Sequence, residues 1–194
     1  MTGTLLSINT STRKDHSKTP VTRAHLIVPA MFAIEHLCLS PAHNYFGHHG
    51  GPAGVAPVIE VPEVECVAGR GVRGDRFFDY KPDYTGQITF FAMEVFERIC
   101  AELAIRDVPA TAVRRNVFTR ELDLNTLMGR EFAVQGVRFA GAEECRPCYW
   151  MEQAVAPGTE MRLRGCGGLR ARILSDGRLR LGRAELAVCA PVKP

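Results

Sequence analysis

The stretch Glu143-Glu144-Cys145-Arg146-Pro147-Cys148-Tyr149-Trp150 holds two thiols, an arginine, two carboxylates and the only tryptophan of the chain. A thiolate ligates soft metals and carries sulfur, and a nearby cation or helix N-terminus favours that form. Both are in prospect for Cys148. Arg146 lies just upstream, and Cys148 to Val155 reads as a short helix opening after Pro147, with the sulfur at its positive end. The spacing equally suits two ordinary half-buried cysteines at a strand end. Cys-x-x-Cys is also half of a zinc site or a dithiol redox pair. A structural zinc site needs a second ligand pair, however, and Cys166 and Cys189 are singletons.

Three further stretches carry polar chemistry. Gly69 to Arg76 interleaves three glycines with three arginines, a pattern that offers backbone N–H groups and guanidinium forks to an anion, or else a turn with solvated arginines; it matches neither the dinucleotide nor the P-loop fingerprint. Arg114-Arg115-Asn116 sits at an element junction, where two cations and an amide suit a phosphate and a polar heterocycle, or a plain surface. Pro41 to Pro52 contains three of the six histidines and several glycines; a pocket wall is a better reading of it than a metal site.

Composition bounds the rest. At 194 residues and 46% hydrophobic, one well-filled domain is expected. A net charge of +3 from scattered lysines and arginines makes no basic stripe, so nucleic acid is not an expected partner. The seven cysteines lack the regular spacing of a disulfide scaffold, and neither a signal peptide nor a run of about 18 apolar residues is visible. A cytoplasmic protein with no membrane association is the expectation.

The elements that would position these residues are mostly short strands. Thr4 to Asn9 alternates weakly and leads into a polar loop to Pro20; Ala24 to Cys38 is apolar around Pro29, with Ile34 to Ser40 the better strand. Val58 to Val67 alternates with period two around Pro62, and Gln87 to Phe90 is a brief strand. Ala92 to Leu103 is the clearest helix, its stripe formed by Val95, Phe96, Ile99, Cys100 and Leu103. Pro109 to Val113 and Asp123 to Gly129 read as single helical turns, Val117 to Thr119 as a strand and Gly158 to Arg164 as helical. Arg130 to Val134 and Val137 to Ala142 form a hairpin around Gln135-Gly136, delivering the chain to Cys145. Arg170 to Leu174 and Arg178 to Leu181 predict a second hairpin around Asp176-Gly177, and Ala184 to Cys189 a closing strand. The sum is a strand-rich α+β domain, a closed or partly closed β-barrel with a few short helices.

Taken in order, Gly71-Val72-Arg73-Gly74-Asp75-Arg76, Arg114-Arg115-Asn116-Val117, Asp123-Leu124-Asn125 with Leu127-Met128-Gly129, and Glu144-Cys145-Arg146-Pro147-Cys148 resemble the MOSC domain, the C-terminal domain of molybdenum cofactor sulfurases. The resemblance spans about residues 36 to 189 and is specific as a combination; Thr4 to Val21 also resembles the opening of some stand-alone bacterial MOSC proteins. It divides the chain into an N-terminal strand and loop segment, 1–35, and a MOSC-like β-barrel domain, 36–190.

The resemblance implies a single essential cysteine, here Cys148. In molybdenum-binding relatives such as the amidoxime-reducing enzymes that cysteine ligates molybdenum, and in the sulfurases the domain is thought to pass sulfur to the cofactor. It further implies that Asp75, Arg76, Arg114 and Asn116 help hold the pterin and phosphate of a molybdenum cofactor (molybdopterin), with Arg115 in the same pocket. The sequence departs from those relatives where the histidine-rich loop replaces a lysine-containing segment, and Cys145 adds a resolving thiol. Two readings follow: an oxidoreductase that reduces N-hydroxylated small molecules with electrons from an external reductase, or a carrier accepting sulfane sulfur on Cys148 as a persulfide from a cysteine desulfurase. A zinc-stabilised or dithiol redox domain is the third.

Overall fold

The computed structural model describes residues 30–191. The expected strand at Thr4 to Asn9, the polar loop after it and the start of the Ala24 to Cys38 stretch lie outside these residues. In chain order the strands are β1 (Ala30–Leu39), β2 (Ile59–Glu60), β3 (Glu63–Val67), β4 (Gly71–Val72), β5 (Ile88–Ala92), β6 (Val117–Arg120), β7 (Arg130–Val134), β8 (Val137–Glu144), β9 (Leu169–Ile173), β10 (Gly177–Arg180) and β11 (Gly182–Pro191). The helices are α1 (Met93–Leu103), α2 (Trp150–Ala154) and α3 (Thr159–Leu163), with single 3-10 turns at Ala110–Val113 and Leu124–Leu127.

Strands β11-β7-β8-β9-β5-β6-β1 pair in that order, and β1 returns to pair with β11, closing a seven-stranded barrel. Every pairing in the ring is antiparallel except β5 with β6, whose parallel register requires the crossover through α1. Closure leaves the ring without a free edge. β1 runs through the 35/36 division, its first half pairing with Gly182–Leu186 of β11. A separate three-stranded sheet, β10-β3-β4, lies beside the barrel.

Two apolar clusters explain the pattern. Inside the barrel, Phe32, Phe90, Phe132 and Phe139 pack with Ile34, Ile88, Val117, Leu169 and Ile173. Phe132 stacks on Phe139 across the β7–β8 pair, with ring centroids 5.3 Å apart. Outside it, Phe91 and Phe118 turn to the opposite face and are covered by Phe96 and Ile99 of α1, Met151 of α2 and Leu163 of α3. β5 is therefore buried on both faces, which is why Ile88-Thr89-Phe90-Phe91 reads as a continuous run rather than an alternation. The helix stripe is as expected, and α1 ends at Ala104 in the left-handed region, φ 54°.

The β7–β8 turn has Gln135 and Gly136 both at positive φ, 50° and 81°, the two-residue turn that suits the twist of paired strands. The second expected hairpin is not formed. Both edges of β9 are taken by β8 and β5. β10 instead pairs with β3, and Asp176 Oδ1 accepts a bond of 2.8 Å from the Ala68 N–H. The Asp176-Gly177 turn thus carries the chain out of the barrel into the small sheet. Pro62 splits the expected Val58 to Val67 strand into β2 and β3. No helix among the described residues is long and apolar enough to cross a membrane.

Candidate functional site

One line of register pairs crosses five strands of the barrel. Glu144 of β8 faces Leu169 of β9, Leu169 faces Phe90 of β5, Phe90 faces Val117 of β6, and Val117 faces Leu37 of β1. Next to this line along the chain lie Cys145 on one side and, on the other, Arg170, Asn116 with Arg115 and Arg114, and Ser40. Beside these residues opens a cavity of about 250 Å³, near the small end of the range for ligand sites. Its lining includes Arg76, Arg114, Arg115, Arg170, Cys145 and Cys148.

Five arginines line the cavity; Arg146 is exposed, and the other four differ in how far the protein already commits them. Arg114, in the left-handed region at φ 55°, donates to the carbonyls of Ala56 (3.0 Å) and Ala42 (2.9 Å), so it pins the ends of the histidine-rich loop. Arg115 donates to the carbonyls of Val113 (2.6 Å), Gly167 (3.2 Å) and Cys145 (3.3 Å). Arg170 donates to Glu143 Oε1 at 3.4 Å and has the Cys145 sulfur as a neighbour. Arg76 makes only long contacts, 3.5 Å to Asp75 Oδ2 and 3.4 Å to the Arg114 carbonyl, and lies over the Phe77 ring.

Burial pulls the Arg76 guanidinium below the ordinary arginine range, with Asp75 opposing and Arg115 adding to the effect. Burial does the same to Arg114, and Arg76 adds to it. An anion in the cavity would relieve this crowding of like charge.

Asp75 and Asn116 stand behind the wall rather than in it. The Asn116 amide donates to Asp75 Oδ2 (3.1 Å) and to the Cys38 carbonyl (3.3 Å), and accepts from the Thr89 N–H (3.0 Å) and hydroxyl (2.8 Å). Asp75 also accepts from the N–H groups of Ser40 and Phe77, both at 3.1 Å. Together they fix the chain from which Arg76 projects. The remaining arginines of the glycine-rich loop face away, Arg70 paired with Asp79 and Arg73 with Glu65.

Cys148 is exposed at the cavity and Cys145 is buried in it. α2 begins at Trp150, later than the sequence predicts, so Cys148 precedes the helix and its carbonyl accepts from the Met151 N–H at 2.9 Å. The histidine-rich loop forms the opposite wall. Tyr45 packs on Trp150 at 4.9 Å, Tyr149 packs on Trp150 at 4.8 Å, and His49 meets Tyr149 edge-on. His43 packs against Phe46, Phe77 and Tyr80.

The Trp150 indole N–H is buried without a partner among the described residues. Also among these residues, no group of three or more His, Cys, Asp or Glu side chains converges as a metal cage. The cavity thus combines a single exposed thiol, the loosely held Arg76 and the exposed Arg146 between aromatic walls, with the orphaned Trp150 donor buried in one of them.

Arg170, Tyr84 and Phe77 line the cavity without having been singled out by the sequence. Phe77 directly follows Arg76, which was a signal. Arg170 had none, because its place depends on the β8–β9 register.

A model of the MOSC domain matches residues 47–184. No curated protein matches the sequence. Among solved structures, the YUAD protein from Bacillus subtilis is similar with a TM-score of 0.62 at 16% identity, over 81% of this chain and 96% of that one. YiiM from Geobacillus stearothermophilus gives 0.59 at 16%, over 81% and 75%. YiiM from Escherichia coli gives 0.57 at 15%, over 84% and 72%. At such identities these likenesses speak to the fold, and it is the family match across most of the chain, on a barrel carrying the cysteine segment at its end, that decides membership: the chain belongs to the MOSC domain family.

Proposed function

We propose that this protein binds a molybdenum cofactor in the arginine-lined cavity, with Cys148 as its ligand to the metal, and reduces N-hydroxylated small molecules with electrons from an external reductase. The observation that carries the reading is the exposed Cys148 thiol in the same cavity as Arg76. The residues fit the group on three counts. A soft thiolate suits molybdenum, an under-committed guanidinium suits a phosphate, and the buried Trp150 N–H lacks an acceptor that a polar ring could provide.

In this reading Arg76 holds the anionic end of the cofactor. Asp75 and Asn116 act through Arg76 as positioning residues. Arg114 and Arg115 hold the walls, and add positive charge without many free donors. Tyr45, Phe77, Tyr84 and Trp150 give flat surfaces for a planar ring and limit water. Bound molybdenum would supply the two-electron couple needed to cleave an N–O bond, the substrate taking up two protons and leaving as amine and water.

The test is elemental analysis of protein from a host that makes molybdenum cofactor, wild type beside Cys148→Ser. Near-stoichiometric molybdenum lost in the variant is expected, followed by N-reductive turnover of the wild type alone. Molybdenum retained by a folded variant would sink the site assignment.

The exposure of Cys148 also favours a second reading, because a sulfur carrier must meet its donor in solution. There the Cys148 thiolate attacks the terminal sulfur of a donor persulfide, forming a new S–S bond as the donor thiolate leaves. Transferable sulfur on Cys148 in metal-free protein, without turnover, would select it.

A further inference from the structure

We propose that Cys145 and Cys148 form a reversible dithiol–disulfide couple that reduces hydroperoxides, Cys148 meeting the oxidant and Cys145 resolving it. The couple belongs to the metal-free protein. Its bearing on the cofactor rests on the function proposed above: a disulfide at Cys148 removes the thiolate that would ligate the metal.

The two sulfurs share a cavity but differ in access. Cys148 is exposed, whereas Cys145 is 5% exposed. A peroxide from solvent therefore reaches Cys148 first. Cys145 is held in place by its neighbours, its N–H donating 2.7 Å to the Gly168 carbonyl and its carbonyl accepting from Arg115.

Its sulfur lies near the Arg170 and Arg76 guanidinium groups. Burial works against the Arg170 charge, but the neighbouring Cys145 sulfur, Tyr84 and Glu143 together raise Arg170 above the usual range. The Cys145 sulfur also bears on Arg76.

The link between the sulfurs can adjust, because β8 ends at Glu144 and α2 begins at Trp150, leaving both cysteines outside regular structure. The Cys-x-x-Cys spacing is that of dithiol redox pairs. Other thiols are poor competitors. Burial pushes Cys38 and Cys66 up to about 12, with Glu60 and Glu65 respectively adding to it.

In the first step the Cys148 thiolate attacks a peroxide oxygen. An S–O bond forms, the O–O bond breaks, and the leaving alkoxide or hydroxide takes a proton from water, leaving Cys148 as sulfenic acid. In the second, the Cys145 thiolate attacks Cys148 Sγ; the S–S bond forms, the S–O bond breaks, and the hydroxide leaves as water after protonation. The pair has lost two electrons to the peroxide. An external dithiol returns them by exchange.

The test uses the full chain from a host lacking molybdenum cofactor synthesis, reduced, treated with stoichiometric hydrogen peroxide, alkylated and digested with trypsin. The Arg146–Pro147 bond resists trypsin, so the peptide Phe139–Arg162 carries both cysteines and no other. It is expected to lose two hydrogens, take no alkyl group and recover both thiols with dithiothreitol. In Cys145→Ser, with Cys145→Ala as a second variant and circular dichroism to verify the fold, Cys148 should pass to sulfinic acid about tenfold more readily, since nothing traps the sulfenic acid. Wild-type peptide alkylated at both cysteines after peroxide, or sulfinic acid on Cys148 to the same extent as in the variants, would overturn the proposal. Neither outcome depends on whether the holoprotein binds molybdenum.

Discussion

Asn116 commits its whole amide to the protein, joining Asp75 to β1 and β5 through four hydrogen bonds. Asn116→Ala leaves the Asp75 carboxylate and the Thr89 N–H short of partners in a buried setting, so a loss of about 3 kcal/mol is expected by chemical denaturation, with molybdenum binding weakened through Arg76 rather than abolished. His43 gives a pH signature. Burial, then Arg76, holds its imidazolium below the ordinary range, with Asp75 opposing and Arg114 adding to the depression. A group depressed in the folded state takes its proton more readily unfolded, so the stability from neutral His43 is whole above about pH 6.5 and is lost as pH falls. Thermal unfolding from about pH 7.5 to about pH 5 should therefore fall less steeply in His43→Gln than in wild type; equal slopes would remove His43 as the source. At this scale residue type was legible and residue role was not. Cys148, Arg76, Arg114 and Arg115 share the cavity, but only hydrogen-bond partners distinguish Arg76 from Arg114, and no pattern of letters encodes those.

Short elements hold the site by close backbone approach. Gly168, at φ 102°, sits so near β5 that a Cβ there would lie 2.3 Å from the Phe90 carbonyl oxygen. Its own carbonyl anchors the Cys145 N–H. Gly168→Ala thus combines a disfavoured backbone with a backbone clash at the point where β9 begins beside Cys145, and should cost about 3 kcal/mol and disturb the site in any protein that still folds. An unchanged melting temperature would show that β9 can shift at no cost. In the sequence Gly165-Cys166-Gly167-Gly168 reads only as a flexible junction, since close approach depends on which strands meet. The same blindness explains the two hairpin expectations. Gln135-Gly136 joins neighbours because β8 had a free edge to offer β7, while Asp176-Gly177 carries equally good turn chemistry next to a strand whose two edges are already taken. Turn residues report that the chain reverses; the sheet decides what it reverses onto.

At the scale of the molecule, alternation and apolar runs were enough to expect a strand-rich barrel, but not its seam. β1 closes the ring, and it straddles the division at 35/36 drawn from the extent of the family resemblance. Its first half supplies Phe32 and Ile34 to the core and pairs Ala30 to Ile34 with Leu186 to Gly182. A chain beginning at residue 36 would lose both side chains, worth about 5 kcal/mol together by apolar burial, against a typical domain stability of about 5–15 kcal/mol. It would also expose the edge of β11, a template for pairing with other chains. A chain beginning at residue 30 keeps the whole seam. The shorter chain is therefore expected to aggregate or melt without a cooperative transition, and the longer one to unfold in a single step by circular dichroism. Since β1 pairs with β6, the strand that Arg114 and Arg115 of the cavity wall lead into, cofactor binding should follow the same division. Equal, cooperative melting of the two chains would mean that the barrel holds its shape open, and that the arginines and Cys148 are positioned by β5, β6, β8 and β9 alone.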